Sequence, residues 1–330
     1  MCDGMIKKIN LGIIGLGFIG KVHLRNCLNL KSAKVVAAAD ISKRTLKYAQ
    51  EFGVKRLFTD YRELLKQPDI DAVIISLPTY LHAPCAINAA EEGKHIFLEK
   101  PLARNLKEGK EILSAVKKHN VKLMVGYPLK YFKEFVNLKK RIENGTLGDI
   151  QTAYAVNIAA GPFFHRAESM IPHPIPEWWL NKRLTGGGAL IDLGCHMINL
   201  LRWYFGEVLD VKAYLGYRFN FDFEDHATCI INFKSGTSAV INVGWFSQST
   251  ALGVELFGTV AHARAYYSPA SKVITAIKLI LGKTPKFFIP YLKEVSHFIT
   301  CIENDQAQLS GEDALKDLEI IARAYKNQIR

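Results

Sequence analysis

Residues 9–40 read INLGIIGLGFIGKVHLRNCLNLKSAKVVAAAD and decide the fold of the N-terminal part of the chain. The apolar run Ile9–Ile14 leads directly into Gly-Leu-Gly-Phe-Ile-Gly at 15–20, then into a helical pattern and a second apolar run that ends in Asp40. A strand, a glycine turn and a helix in this order are typical of a dinucleotide-binding βαβ unit. The sequence therefore predicts a parallel, doubly wound sheet that begins near Ile9.

The residues of this turn have separate expected roles. Gly15 allows the tight turn, Gly17 lets the backbone approach a pyrophosphate, and Gly20 brings the helix against the strand. Phe18 and Ile19 open the helix, whose N-terminal amides are expected to bind phosphates. The alternative is a glycine turn that binds nothing, but the strand before it and the helix after it favour the cofactor.

Asp40 ends the second predicted strand, where a carboxylate can accept both ribose hydroxyls of a dinucleotide. The same carboxylate would repel the 2′-phosphate of NADP. Ser42, Lys43 and Arg44 follow and leave room for NADP. We therefore expect NAD as the cofactor, with NADP as the alternative.

Short β-branched runs alternate with amphipathic stretches as far as about Tyr127, and the pattern then changes. The first part predicts strands at Ile9–Ile14, Lys34–Ala39, Ala72–Ser76, His95–Leu98 and Lys122–Val125, with helices at Thr45–Phe52, His82–Glu92 and Lys107–His119. The second part predicts helices at Ala189–Tyr204, Tyr291–Ile302 and Gly311–Tyr325, and strands at Val211–Tyr217, Ala227–Phe233, Ser238–Phe246, Gly253–Phe257 and Ala261–Tyr266. We expect an α/β Rossmann domain at 1–127 and an α+β domain with a mostly antiparallel open sheet at 128–330.

The composition is that of an ordinary globular protein, with 330 residues, 49% hydrophobic and 22% charged. The formal charge of +12 is scattered and no nucleic-acid motif accompanies it, so a nucleic-acid partner is not expected. Six widely spaced cysteines predict buried thiols in a reducing compartment and no metal site.

The N-terminus lacks the features of a signal peptide, and Lys278 interrupts the apolar stretch Val273–Leu281. A cytoplasmic protein without membrane contact is expected.

Two motifs carry reactive side chains. Glu99-Lys100-Pro101 ends a predicted strand, so both charged groups are expected at the carboxyl edge of the sheet, where nicotinamide would lie; a surface lysine is the alternative. In GGGALIDLGCH at 186–196, Asp192 and His196 are four residues apart and share one helix face. A carboxylate beside an imidazole suits a general base. A purely structural hydrogen-bonded pair remains the other interpretation.

The segment Phe163–Arg183 is a long apparent loop that combines aromatic and basic side chains. Trp179 is a candidate for the face of a sugar ring, and Arg166 is a candidate for an anionic group on the substrate. A phosphorylated, carboxylated or nucleotide-linked sugar would fit such a loop. The alternative is a surface or subunit-contact loop in which Trp178 and Trp179 only pack.

The chain resembles the glucose-fructose oxidoreductase, inositol dehydrogenase and rhizopine-catabolism (Gfo/Idh/MocA) family over nearly its whole length. The resemblance rests on GIIGLGFIGKVH, ISLPTYLHAP, EKPLA, GGGALIDLGCHMINLLRWYFG and FEDHATCIINFKSG. It implies hydride transfer between a nicotinamide cofactor and a secondary alcohol of a sugar, cyclitol or nucleotide-sugar, with Lys100, Asp192 and His196 as the catalytic residues.

The resemblance also implies further contacts. Glu99 would touch the nicotinamide ribose, and the segment 76–82, with Ser76, Pro78 and His82, would line the cofactor. Tyr127 and Lys130 would lie near the substrate, although asparagine and arginine are commoner there in the family. A homodimer or homotetramer formed through the open sheet is implied as well. Two relative classes stay open as alternatives: NAD-dependent glycosidases with transient redox chemistry, and NAD-sensing regulators without catalysis.

Overall fold

The computed structural model describes residues 8–162, 176–247, 249–267, 288–306 and 311–329. The chain forms two compact units. The first contains Met1–Ala103, Lys107–Gly126 and Phe288–Glu312, and the second contains Arg104–Leu106, Tyr127–Phe287 and Asp313–Arg330. The predicted boundary after residue 127 lies next to the observed crossing at Gly126, but assigning all of 128–330 to the second domain is wrong.

The helices are numbered here along the chain. They are α1 (Phe18–Leu28), α2 (Lys43–Glu51), α3 (Tyr61–Leu65), α4 (His82–Glu91), α5 (Leu106–Lys118), α6 (Lys133–Glu143), α7 (Lys182–Thr185), α8 (Cys195–Phe205), α9 (Ile289–Glu303) and α10 (Gly311–Lys326). A π-helical turn, Leu190–Gly194, leads directly into α8. Helix α9 belongs to the first unit because its apolar face, with Val295, Phe298 and Ile299 fully buried, packs on α1 and on two strands of that unit's sheet.

The first unit is built on a six-stranded parallel sheet in the order β3-β2-β1-β4-β5-β6. Its strands are β1 (Ile9–Ile14), β2 (Ala33–Ala39), β3 (Arg56–Phe58), β4 (Ala72–Ile75), β5 (His95–Glu99) and β6 (Leu123–Gly126). This is the Rossmann strand order, in which ligands bind at the carboxyl ends near the switch between β1 and β4. The five predicted strands of this sheet are confirmed, and only the three-residue β3 was missed.

The second unit contains a six-stranded mixed sheet in the order β12-β11-β7-β10-β9-β8. Its strands are β7 (Ile150–Ile158), β8 (Val208–Gly216), β9 (His226–Phe233), β10 (Ser238–Gly244), β11 (Ala251–Gly258) and β12 (His262–Tyr267). The pair β7 and β10 is parallel and the other pairs are antiparallel, so the mostly antiparallel sheet is confirmed. Strand β7 was missed because Ala155, Val156 and Asn157 are buried in succession and break the period-2 pattern.

The two faces of the second sheet differ in chemistry. Alternate residues such as Ala213, Ile231, Ile241 and Val254 are 0% exposed and form the core with α8 and the π turn. The opposite face carries Tyr214, Ile230, Tyr266 and Phe257 in exposed positions. This alternation is what an antiparallel sheet with one packed face requires.

Two apolar stretches bear on the membrane question. Lys182–Phe205 is long and apolar enough to span a membrane, but 72% of its most apolar window is buried inside the protein. Its apolarity is therefore explained by core packing. The stretch Val273–Leu281 lies outside the described residues.

The described cysteines agree with the expectation from sequence. Each of them is buried and carries a free thiol: Cys27, Cys85, Cys195, Cys229 and Cys301. Burial raises the pKa of the Cys229 thiol to about 12, so it stays protonated at neutral pH.

Candidate active site

The glycine turn between β1 and α1 has the geometry that a pyrophosphate needs. Gly15 has a φ of +86° and lies so close to Ser76 O that a Cβ would overlap it. A Cβ at Gly20 would overlap the carbonyl oxygen of Gly15, so this glycine sets the approach of helix to strand. A Cβ at Gly17 would meet no atom of the described chain within 4 Å. Gly15 and Gly20 are thus required by the fold itself, and Gly17 opens a space beside the turn.

The start of α1 at Phe18 and Ile19 suits an anion. No side chain caps this end and no acidic residue occupies its first turn, so the N–H groups and the positive end of the helix dipole are not compensated from within the helix. Ser76 lies at the end of β4 with its hydroxyl oxygen buried and without a hydrogen-bond partner among the described residues. Pro78 is partly exposed where the chain leaves the same strand. These features fit a dinucleotide cofactor.

Asp40 is fixed in place by the main chain. Its Oδ2 accepts a hydrogen bond from Leu16 N at 2.7 Å, and its Oδ1 accepts one from Ser42 N at 2.8 Å. The carboxylate therefore braces the glycine turn from the end of β2. Each oxygen retains a second lone pair, so the geometry is compatible with hydroxyl donors from a ribose.

Glu99 does not project from the sheet edge as predicted. Its side chain is 8% exposed, Oε1 lies 2.6 Å from His23 Nε2, and Oε2 accepts a hydrogen bond from Lys100 N at 3.2 Å. The carboxylate is turned toward α1 because that helix supplies a buried imidazole. Lys100, the next residue, is partly exposed.

His82 also differs from the prediction, which placed it among the residues that line the cofactor. Its imidazole is 1% exposed, with Nδ1 2.8 Å from Pro101 O and Nε2 2.9 Å from Leu77 O. It therefore links the loops that follow β4 and β5. The side chain supports the carboxyl edge of the sheet and does not line it.

Asp192 and His196 lie on one accessible face, as the spacing predicted. Along residues 189–201 only Asp192, Leu193 and His196 are partly exposed, and the other residues are buried. Asp192 sits in the π-helical turn Leu190–Gly194, and Asn157 Nδ2 on β7 donates to Leu193 O at 3.2 Å. A π turn of this kind frequently marks a functional site.

Tyr127, a member of the predicted substrate set, contacts this face. Its ring meets the His196 ring edge to face, with centroids 6.1 Å apart and an interplanar angle of 89°. Lys130 is nearby in sequence but lies in a different electrostatic environment. Burial lowers the pKa of its ammonium, and the carboxylates of Asp317 and Asp313 partly offset this effect.

Trp179 belongs to an aromatic cluster. It stacks on Trp178 with centroids 6.4 Å apart and meets Trp245 edge to face at 6.2 Å. Both Trp178 and Trp179 keep partial exposure, so they pack together and still present a surface. Arg166 lies outside the described residues.

Glu224, which was not predicted from the sequence, holds the start of the reactive helix, meaning the π turn Leu190–Gly194 together with α8. Glu224 Oε1 accepts hydrogen bonds from Gly188 N, Leu190 N and Tyr325 Oη at 2.8–3.0 Å, and Glu224 O accepts one from Ala189 N at 3.0 Å. One buried residue thus satisfies three consecutive helix N-terminal amides. Burial raises the pKa of its carboxyl, and these hydrogen bonds oppose the shift. Glu224 is 34 residues from Leu190 in sequence, so no local pattern identifies it.

The two units match family models separately. Residues 9–127 match the model described as an oxidoreductase family with an NAD-binding Rossmann fold, and residues 135–264 match the GFO/IDH/MocA C-terminal domain. The chain belongs to the GFO/IDH/MocA oxidoreductase family. The first unit of this oxidoreductase is accordingly an NAD-binding Rossmann domain.

Relatives of the oxidoreductase cover almost its whole length. It is 33% identical to the uncharacterized oxidoreductase YrbE of Bacillus subtilis, over 98% of this chain and 95% of that protein. It is 28% identical to the myo-inositol 2-dehydrogenase of Thermotoga maritima, over 92% of each chain. The crystal structure of a probable dehydrogenase from Thermotoga maritima matches it with a TM-score of 0.81 at 25% identity, over 97% of each chain.

Proposed function

We propose that this oxidoreductase transfers a hydride between NAD and a secondary alcohol of a sugar, cyclitol or nucleotide-sugar. The observation that carries the proposal is the partly exposed pair Asp192 and His196 within the largely buried segment 189–201, in a chain with an NAD-binding unit. The relative named myo-inositol 2-dehydrogenase supports a polyhydroxylated ring as the substrate.

The glycine turn, the N-terminus of α1, Asp40 and Ser76 are the residues that would hold NAD. When bound, NAD supplies the hydride acceptor. His196 removes the hydroxyl proton of the alcohol, and Asp192 orients the imidazole and stabilises its protonated form. Lys100 holds the substrate oxygen and stabilises the negative charge that develops there. The roles of these three residues rest on the family resemblance and on the exposure of each within its own unit.

Asp40 makes NAD the preferred cofactor in this proposal. Its negative charge is held rigidly by Leu16 N and Ser42 N, so it is not free to turn away from a 2′-phosphate. A fixed carboxylate accepts hydroxyl hydrogen bonds from NAD and repels the additional phosphate of NADP.

The substrate contact surface is proposed to include Tyr127 and the tryptophans at 178 and 179. A flat apolar ring face suits the C–H face of a sugar or cyclitol. Arg166 remains a candidate for binding an anionic group.

We also propose a cytoplasmic homodimer or homotetramer without nucleic-acid or membrane contact. The outer face of the second sheet supports self-association because Tyr214 and Ile230 are exposed on the neighbouring strands β8 and β9, and Tyr266 is exposed on β12 at the other edge, so a second copy would bury apolar surface there. The buried free thiols support a reducing compartment.

Absorbance of NADH tests the proposed reaction. Purified protein is incubated with NAD and a panel of sugars, cyclitols and nucleotide-sugars, with glycosides included. Net NADH formation supports a dehydrogenase. Glycoside cleavage without net NADH would instead identify transient redox chemistry, and tight NAD binding without any turnover would identify a sensor.

A further inference from the structure

Three titratable side chains meet in the interior of the first unit. His23 from α1, Glu99 from the end of β5 and Glu294 from α9 are 0%, 6% and 0% exposed. One nitrogen or oxygen atom from each lies within 4.8 Å of the other two. Glu294 is supplied by α9, which enters the first unit after the chain has built most of the second.

The distances identify hydrogen bonding and not a metal site. Ligand atoms around a tetrahedral metal ion lie roughly 3.4 Å apart, since each is about 2.1 Å from the ion. His23 Nε2 and Glu99 Oε1 are 2.6 Å apart, which is a hydrogen-bond distance and is shorter than the spacing of two ligand atoms on one ion. His23 Nε2 therefore pairs with one oxygen of Glu99, and Lys100 N donates to the other oxygen of the same carboxyl group.

Glu294 differs from Glu99 in its hydrogen bonding. Neither of its carboxyl oxygens has a hydrogen-bond partner in the part of the chain that is described. The titratable groups facing it are His23 from α1, Glu99 from β5, and Tyr291 on its own helix, whose ring contacts His23. Strand β6, which also packs on α9, has no titratable side chain.

The charge on this cluster decides the state of Glu294. A second ionised carboxylate, without water and beside Glu99, would be strongly destabilised. Burial raises the pKa of Glu294 well above its ordinary value, and the charge of Glu99 raises it further. An aliphatic side chain would fill the same volume without this cost, so packing alone does not explain an acid at this position.

We propose that His23 and Glu294 are positioning residues for Lys100: the imidazole and the buried acid together fix the side chain of Glu99, which accepts a hydrogen bond from the main-chain amide of Lys100. The proposal rests on the function proposed above for Lys100. Glu99 accepts from both His23 and Lys100 N, so a change in its rotamer would carry the Lys100 backbone with it. Glu294 in its neutral form leaves the single negative charge of the cluster on Glu99.

A neutral Glu294 makes the free energy of unfolding change with pH in a direction that stability measurements can test. Below about pH 4.3 the folded and unfolded chains both hold this proton. As pH rises further, the unfolded chain releases the proton while the folded chain keeps it, so the free energy of unfolding falls. Glu294→Gln is neutral at every pH and avoids this loss. The Tm of Glu294→Gln minus that of the wild type should therefore increase with pH above about pH 5, by about 2 °C per pH unit for as long as the folded chain keeps the proton.

Glu303→Gln is the matched control, because Glu303 is exposed on the same helix and its replacement should leave the Tm difference independent of pH. If Glu294 were ionised and paired with a cation, Glu294→Gln would lower the Tm at neutral pH. Either that result or a pH-independent difference would overturn the neutral-acid assignment. This measurement needs no substrate, so it stands even if the proposed reaction is wrong.

The positioning role is tested by kinetics at His23. His23→Ala removes the donor to Glu99 and should lower kcat at least tenfold, with less than a threefold change in the KM for NAD. His23→Gln places an amide N–H near the position of Nε2 and should restore kcat to within about threefold of the wild type. Unchanged kcat in His23→Ala, in a wild type that turns over, would refute the positioning role and leave the proposed function standing. Absence of turnover in the wild type would refute the proposed function itself.

Discussion

At the scale of single residues, the proposed reactive side chains of the oxidoreductase are partly exposed. Asp192 and His196 lie on a partly exposed strip of the largely buried segment 189–201, and Asp40 accepts hydrogen bonds from two main-chain amides. Each is therefore open to a test by one substitution. Asp40 lies in the first unit, and Asp192 and His196 lie in the second. A substitution at Asp40 therefore tests cofactor binding, and a substitution at His196 tests the chemical step.

His196→Ala should lower kcat by about 10²- to 10⁴-fold, because a general base typically contributes that much. NAD affinity should stay within about twofold, since the residues proposed to hold NAD all lie in the first unit. Steady-state kinetics and NAD titration measure the two effects. His262→Ala, at an exposed histidine of β12, is the matched control. A wild-type rate in His196→Ala would exclude the proposed base.

Asp40→Ala should relax the preference between cofactors. Loss of a charged hydrogen-bond acceptor costs about 1.5–3 kcal/mol, so NAD should bind about 10- to 100-fold more weakly. NADP should bind more tightly than before, because the repulsion is removed. Titrations of both cofactors into Asp40→Ala and into Asp60→Ala, an N-cap variant in the same unit, measure the change. Stronger binding of NADP than of NAD by the wild type would contradict the role of Asp40.

The sequence predicted the residues whose signals are local. Gly15, Gly17 and Gly20 follow a strand directly, and Asp192 and His196 are one helical turn apart, so spacing alone places them. Glu99 was misplaced because the rule for strand ends does not say which side chain turns inward toward a neighbouring helix. The partners of Glu99 and Glu224 lie far away in sequence, and only the fold brings them together.

At the scale of elements, the reactive helix depends on a cap from outside the helix. Gly188, Ala189 and Leu190 donate their amides to Glu224, which Tyr325 on α10 holds in turn. The π turn that follows carries Asp192. The position of this carboxylate is therefore coupled to the C-terminal helix.

Tyr325→Phe removes one donor to Glu224 and should destabilise the fold by about 1 kcal/mol, seen as a Tm lower by roughly 2–4 °C. Glu224→Ala leaves two amides, Gly188 N and Leu190 N, and the Tyr325 hydroxyl without their acceptor and should cost more, about 3 kcal/mol. Thermal unfolding measures this graded series. Tyr214→Phe, on the outer face of the sheet, is the control. Equal Tm values for Glu224→Ala and the wild type would show that the cap does not stabilise the helix.

At the scale of the whole molecule, the exposed face of the second sheet is where we propose that a second copy binds. Ile230 lies in β9 between Lys212 and Val240 and is 44% exposed. If a second copy covers this face, a charge there must be desolvated on association.

Ile230→Lys should convert the proposed oligomer into smaller species, measured as mass by light scattering after size-exclusion chromatography. Ile41→Lys, at an exposed isoleucine of the first unit, should leave the mass unchanged. A monomeric wild type would refute the proposed oligomer. An unchanged mass for Ile230→Lys would place the interface elsewhere.

The return of α9 to the first unit also sets an order of events during synthesis. The strands of the Rossmann sheet leave the ribosome by residue 126, but Ile289–Glu303 follows only after most of the second unit has been made. At about 5–20 residues per second, the nascent cofactor-binding unit waits roughly 10–30 s for its last helix. During that interval the surface that α9 later covers, with His23 and Glu99 beneath it, is exposed to chaperones and to premature association.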